Sequence, residues 1–383
     1  MLNRELTSSL KLYAQEFRSV LLVGPRQSGK TTLVRQCFPE KPYISLENPD
    51  ERMLADSDPR AFLGRFPQGA ILDEIQRVPK LFNYLQEILD NSKKDGLFIL
   101  TGSNNILLQD SLSQTLAGRM GILDLLPLSY RELSAEYRNK TLSELILQGG
   151  YPEIISKNRQ ANLWYSSYVR TYVERDVRQL KNIENAMLFT KFLKLCAGRI
   201  GQQLNISALS NECGIDVKTV NSWLSVLEST YIIKLLQPFY QNFNKRIVKT
   251  PKLYFIDTGL ACSLLSIRKK EELAHSHFRG ALVENYLISE CIKNGLNTQT
   301  GQAFYYWRDN KGLEIDLIIQ NADLVELIEI KAAQTYTDDF TKNLRAIMKL
   351  GEINESYVLY DGLLEFEKSE GIRVWNWRSF LTR

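Results

Sequence analysis

Histidine and paired cysteine are nearly missing from this chain. Its 383 residues hold two histidines, His275 and His277, and five scattered cysteines, Cys37, Cys196, Cys213, Cys262 and Cys291, with no C-x-x-C pair. That argues against a zinc site or a disulfide scaffold and fits a reduced, cytoplasmic setting. No apolar run approaches the roughly 18 residues of a membrane helix, and no basic amphipathic helix stands out, so no membrane partner is expected. The first 17 residues mix Arg4, Glu5, Lys11 and Glu16 among apolar positions, unlike a secretory leader. Charge of one sign is scarce as well: a net +4 is too small to announce nucleic acid by itself and leaves only a local basic surface open. What remains is an ordinary globular composition, 44% apolar and 24% charged, in a length suited to two or three packed domains.

Against that background residues 21–32, LLVGPRQSGKTT, stand out. An apolar strand ends at Gly24, four residues follow, and Gly29-Lys30-Thr31 opens a helix, the G-x-x-x-x-G-K-[ST] spacing of a phosphate loop. Glycines let main-chain N–H groups close around a polyphosphate at a helix N-terminus. Gly24, Pro25, Arg26, Gln27, Ser28, Gly29, Lys30, Thr31 and Thr32 are the expected ATP-binding residues, with Lys30 on the β/γ-phosphates and Thr31 on Mg²⁺. The competing reading is a glycine turn before an amphipathic helix.

Hydrolysis asks for an acidic strand beside the loop. Residues 70–74, AILDE, deliver Asp73 to Mg²⁺ and Glu74 to the attacking water, unless they are only an exposed strand end. Residues 97–104, LFILTGSN, end in small polar groups where a parallel sheet puts its ligand crevice, which makes Ser103 and Asn104 candidates for orienting that water. The order of elements predicts a doubly wound α/β sheet, with an extra strand (residues 42–47) between loop and acid. Arg119 has two readings: neutralising γ-phosphate charge, within the subunit or from a neighbour in a ring, or a structural salt bridge.

Farther along, Gly149-Gly150-Tyr151-Pro152-Glu153 breaks a mostly helical region at a hinge or corner. Residues 168–178, YVRTYVERDVR, are a solvated helix face or a nucleotide or partner contact. Residues 206–236 have the rhythm of a helix-turn-helix, with Asp216 capping a second helix that turns Val220, Leu224 and Leu227 inward. A β wing follows, with Lys245, Arg246, Lys249 and Lys252 nearby. This module either sets Lys218, Asn221, Ser222 and Ser225 against DNA or serves only for packing. In the last third, residues 312–331 form two strands joined by a short turn, bringing Asp316 near Glu329 and Lys331, with Glu284 on a preceding helix. Such carboxylates can hold Mg²⁺ beside a lysine that positions a hydrolytic water.

The segments GPRQSGKTT, ILDEIQ, LTGSN, LAGRMGILDLLPLS, GGYPE and EIDLII…IEIKA together resemble the bacterial and archaeal P-loop ATPases in which an AAA-type domain (AAA-14) precedes a DUF4143 domain. The resemblance runs nearly end to end. It implies ATP hydrolysis by Lys30, Thr31, Asp73 and Glu74 in a P-loop ATPase core (residues 1–134), a helical lid (135–195) and a winged helix (196–255). It further implies an α/β tail (256–383) similar to the PD-(D/E)xK restriction-endonuclease fold, with Glu284, Asp316, Glu329 and Lys331 on the metal and catalytic positions. The tail has Gly-x-Glu-x-Asp where many such nucleases carry proline before the aspartate. DNA, a second copy of the chain and other proteins are the expected partners. Two rival functions remain: a metal-dependent DNA nuclease gated by ATP, and a nucleotide-controlled scaffold without nuclease chemistry.

Overall fold

The computed structural model describes residues 2–103, 118–172, 185–239, 249–351 and 353–383. Asn104, Lys245, Arg246 and positions 173–178 of the arginine-rich run lie outside them. The chain forms two compact units: Met1–Leu128 with Ser229–Tyr231 and Leu296–Gln299, and Ser129–Glu228 with Ile232–Gly295 and Thr300–Arg383.

The first unit is built on five strands, β1 (Ser19–Val23), β2 (Tyr43–Ser45), β3 (Ile71–Asp73), β4 (Phe98–Gly102) and β5 (Met120–Asp124), in the order β2-β3-β4-β1-β5. Every pairing is parallel. Period two splits the apolar run of β1 between the two faces of the sheet. Leu21 and Val23 join a cluster with Phe62, Leu72, Leu100 and the helix Leu81–Asn91, while Val20 and Leu22 face Leu6, Leu10, Leu33, Val34, Ile99 and Leu123. Both faces are therefore covered by helices, as a parallel sheet requires. The strand lying between loop and acid in space is β4; β2, which intervenes in sequence, takes the edge.

The second unit opens with short helices. Gly149, at φ 66, makes the expected break, and its neighbour's N–H donates to the buried Asp257 carboxylate at 2.7 Å, which fixes a corner. Tyr168 and Tyr172, in the described part of the arginine-rich run, are buried, Tyr168 stacking on Trp164 and accepting a hydrogen bond from the Tyr151 hydroxyl at 3.0 Å. The helices Ile206–Cys213 and Val217–Ser229 are joined by a turn with Gly214 at φ 80. Asp216 caps the second through Thr219 N–H at 2.9 Å, and Val220, Leu224 and Leu227 are buried.

An antiparallel ribbon follows, β6 (Ile233–Pro238) and β7 (Lys252–Phe255). It is the edge of an eight-stranded mixed sheet with β8 (Ala303–Arg308), β9 (Glu314–Asn321), β10 (Leu324–Lys331), β11 (Glu355–Tyr360), β12 (Phe366–Glu367) and β13 (Ile372–Asn376), ordered β12-β13-β11-β10-β9-β8-β6-β7. The ribbon and the tail, expected as separate segments meeting at residue 255, thus share one sheet, because β6 runs on into pairing with β8 at Gln237–Tyr305. The outer edge of β7 is closed by Asn285 of the helix Arg279–Thr298, which accepts from Phe255 N–H and donates to Phe255 C=O, both at 2.7 Å. An edge strand closed in this way offers no free ladder to another chain.

Candidate functional site

The phosphate loop leaves the C-terminal end of β1. Gly24 has φ 151, and a Cβ there would stand 2.2 Å from the carbonyl oxygen of Leu125, so only glycine fits this close approach. Gly29, at φ 96, is the N-cap of the helix Lys30–Cys37, whose first N–H groups have no intrahelical acceptor. Lys30, 5% exposed, donates from Nζ to the carbonyls of Gly24 and Pro25, each at 2.8 Å. Its ammonium is therefore held over the loop. Ser28 Oγ is buried within the loop with no hydrogen-bond partner among the described residues. An orphaned buried hydroxyl in a loop of this shape suits a ligand rich in acceptors.

The acidic strand meets the loop as its sequence suggests. Thr31 Oγ1 donates to Asp73, 3.1 Å from both carboxylate oxygens. Two further hydroxyls converge on Asp73: Tyr43, at 2.7 Å, and Thr101, in a closer contact. Burial first, and the Asp73 carboxylate second, push the Tyr43 phenol well above its ordinary range. Glu74 follows β3 at φ 58, its N–H directed to Thr101 Oγ1 at 3.3 Å, and its carboxylate accepts from Ser103 Oγ at 3.1 Å and from Gln76. Left-handed backbone is uncommon outside glycine and clusters at functional sites. Gln76 also donates to Ser103 at 3.0 Å, closing a small ring of polar groups beyond the strand ends. The donor set fits Mg²⁺ and a nucleoside triphosphate: a hydroxyl beside a carboxylate, a buried ammonium, and the N-terminus of a helix.

Arg119 corrects the reading in which it reaches the phosphate of its own subunit. Its carbonyl accepts from Ser19 N–H at the start of β1, while the loop follows the strand's other end, about 15 Å away for five extended residues. There its side chain pairs with Asp90.

Several residues at the site escaped the sequence reading. Thr101 and Tyr43 sit within recognised strands, but nothing local said which hydroxyls would point at Asp73. Arg4, 8% exposed, donates to Ser28 C=O and Leu126 C=O, both at 2.7 Å, tying the phosphate loop to the segment after β5. A lone arginine in a charged N-terminal stretch gives no warning of that.

The second unit gathers the other sequence candidates. Asp316 on β9, Glu329 and Lys331 on β10, and Glu284 on the helix Arg279–Thr298 act on one another electrostatically. Lys331 Nζ donates to Glu329 Oε1 at 2.6 Å, and Asp316 accepts from Ile330 N–H at 2.8 Å. Burial raises the Glu284 carboxyl to about 7 despite Lys252, and burial with the charge of Asp316 raises Glu329 to about 8 despite Lys331. Among the described residues, however, no three acidic, histidine or cysteine groups are arranged to hold a metal ion. The metal role assigned to this constellation thus finds no formed cage. Beside it stands Lys252, counted in the sequence among the basic residues near the wing. It is 2% exposed and turned inward onto Glu284, at 3.1 Å, and onto Glu314. Lys249 alone of the described wing lysines is exposed.

Among the described residues no helix is long and apolar enough to cross a membrane. Residues 16–134 match an AAA domain of the AAA-14 type, residues 139–271 a domain of unknown function, DUF8612, and residues 279–380 another, DUF4143. An uncharacterized protein of Mycobacterium tuberculosis is 28% identical over 358 residues, 92% of this chain and 78% of the relative. One from Methanocaldococcus jannaschii is 23% identical over 412 residues, 94% and 85% of the two chains. Among solved structures, a Walker-type ATPase of Pyrococcus abyssi superposes with a TM-score of 0.46 at 16% identity, over 69% of this chain and 96% of that one. Thermotoga maritima RuvB gives 0.32 at 20%, over 60% and 86%. An AAA domain of the AAA-14 type thus spans the phosphate loop and acidic strand, and a DUF4143 domain spans the tail, the same pair of domains in the same order as in the P-loop ATPases that the sequence resembles.

Proposed function

We propose that the protein binds and hydrolyses ATP with Mg²⁺ and acts at DNA. The observation that carries the first part is the meeting of Thr31 and Asp73 at 3.1 Å beside the buried Lys30, with Glu74 and Ser103 on the adjoining strand ends. In this reading Thr31 and Asp73 hold Mg²⁺, Lys30 and the loop N–H groups bind the phosphates, and Glu74, steadied by Ser103 and Gln76, takes a proton from the attacking water. Mg²⁺, when bound, supplies charge neutralisation on the β- and γ-phosphates. Arg119 enters only if a neighbouring copy presents it, and a homo-oligomer would be needed for that.

The DNA part rests on the two helices and ribbon of the second unit, read as a winged helix. Lys218, Asn221 and Ser225 are exposed on the second helix, Ser222 partly so. One cation on that face favours phosphate contact over base reading. The tail enters as a binding domain, with no cleavage step assigned to it.

The test is steady-state phosphate release with and without duplex DNA. The full chain is expected to turn over ATP only with Mg²⁺, Lys30→Ala to lose at least about 100-fold, and DNA to raise turnover. Turnover surviving in Lys30→Ala would place the site elsewhere. Turnover indifferent to DNA would sink the second part and leave a nucleotide-controlled scaffold.

A further inference from the structure

The carboxylate cluster of the second unit already contains a cation. Lys252 opens β7, and its ammonium reaches Glu284 Oε1 on the helix Arg279–Thr298 at 3.1 Å and Glu314 on β9. Tyr254, two residues on and so on the same face of the strand, donates its hydroxyl to the same Glu284 oxygen. The Tyr306 ring lies 5.5 Å from the ammonium, so its face adds to the attraction. With 2% of its surface exposed, Lys252 is where an unpaired ammonium would be strongly disfavoured; it persists because acidic groups from two elements converge on it.

The remaining carboxylates are committed in part, since Glu329 Oε2 is buried with no hydrogen-bond partner among the described residues. Glu329 Oε1 accepts from Lys331, and Asp316 Oδ2 accepts from the Ile330 N–H. A divalent ion such as Mg²⁺ completes its shell largely with water and takes one or two carboxylates from the protein, so what decides is the charge already beside those carboxylates. Here the Lys252 ammonium already holds Glu284 and Glu314, and a metal entering beside them would stand against a fixed positive charge that is 2% exposed.

We propose that Lys252 is the resident cation of this cluster, a tethered ammonium in the place where its carboxylates would otherwise recruit a divalent metal. The tail then folds without metal and performs no metal-dependent phosphodiester hydrolysis. Its buried charges serve instead to fasten β7 to the long helix and to β9. The inference stands apart from the nucleotide reading, since it concerns a different unit.

The experiment uses the full chain without nucleotide, carrying Asp73→Asn to remove the other acidic site, with Mn²⁺ as the probe and the resonance of free Mn²⁺ as the readout. With Lys252 in place, Mn²⁺ is expected to stay free up to about 1 mM. Lys252→Met in that background should gain one site at least about tenfold tighter, and adding Glu284→Gln should abolish it. Mn²⁺ bound with Lys252 intact and released by Glu329→Gln would overturn the proposal. So would a folded Lys252→Met chain that binds none. Should Lys252→Met fail to fold, the titration with Lys252 intact decides alone, free Mn²⁺ supporting the proposal and bound Mn²⁺ refuting it.

Discussion

Glu74→Gln separates chemistry from architecture at the nucleotide site. Glu74 holds a left-handed backbone at φ 58, fixed by its N–H to Thr101 and by its carboxylate to Ser103 and Gln76. Glutamine keeps the length and the backbone of the residue, and its carbonyl oxygen can still accept from Ser103. The structural loss is then the difference between a charged and a neutral acceptor, about 1 kcal/mol. The chemical loss is larger. A positioned general base contributes about 10²–10⁴-fold, or roughly 3–5 kcal/mol at 1.36 kcal/mol per tenfold. The variant should therefore bind ATP within about fivefold of the parent while kcat falls by about 10²–10⁴. Ser103→Ala leaves the base in place and removes one orienting hydrogen bond, so its kcat should fall only about three- to tenfold. Single-turnover phosphate release at saturating ATP, with nucleotide affinity measured separately, reads both quantities. A Glu74→Gln chain that retains kcat within tenfold would show that the base is another group.

Gly24→Ala places a Cβ 2.2 Å from Leu125 O, and should lower the urea midpoint of the first unit by an amount equivalent to about 2–4 kcal/mol; an unchanged midpoint would mean that the close approach does not exist. Arg4→Met strips the guanidinium from the buried carbonyls of Ser28 and Leu126, and should raise KM for ATP about three- to tenfold with a smaller change in kcat; an unaltered KM would remove Arg4 from the site. Stability of the second unit should fall as pH rises. Glu284 and Glu329 are held near 7 and 8, above their unfolded range, so from about pH 4.5 upward the folded state binds more protons than the unfolded one. The loss, up to about 4 kcal/mol between pH 6 and 8.5, should appear in urea melts and shrink in Glu329→Gln; a flat profile would show that both carboxylates are ionised throughout.

The parts legible in sequence were those set by neighbours along the chain. The phosphate loop is read from its glycines because Gly24 and Gly29 occupy conformations that other residues enter at a cost, and the following helix starts where its N–H groups are needed. The cap at Asp216 and the glycine turn at Gly214 are local in the same sense. Strand order was not local. Nothing in residues 43–45 distinguishes an edge strand from one between loop and acid, and the sheet settles it by pairing β4 with both β1 and β3. Arg119 shows the same limit, because direction along a strand decides which end of the sheet a residue reaches, and its carbonyl pairs at the end away from the loop.

Lys252 carries the point furthest. In sequence it sits three residues from Lys249, and both count as basic residues of one wing. In the sheet one is exposed and the other is 2% exposed. The difference comes from β7 being covered by the helix Arg279–Thr298, whose Asn285 holds the strand edge and whose Glu284, the adjacent residue, meets the ammonium. Here the helix binds the edge through Asn285 and sets the Glu284 carboxylate against Lys252 and Tyr254 of the same strand. Glu284 therefore had a partner before any metal arrived. Of the acidic pattern that reads as a metal site in a linear sequence, an ammonium on β7, a lysine on β10 and a main-chain amide each take a share, while Glu329 Oε2 has no partner among the described residues. Which of these readings governs the tail depends on one buried side chain contributed from outside residues 279–380, the segment whose pattern suggests the metal.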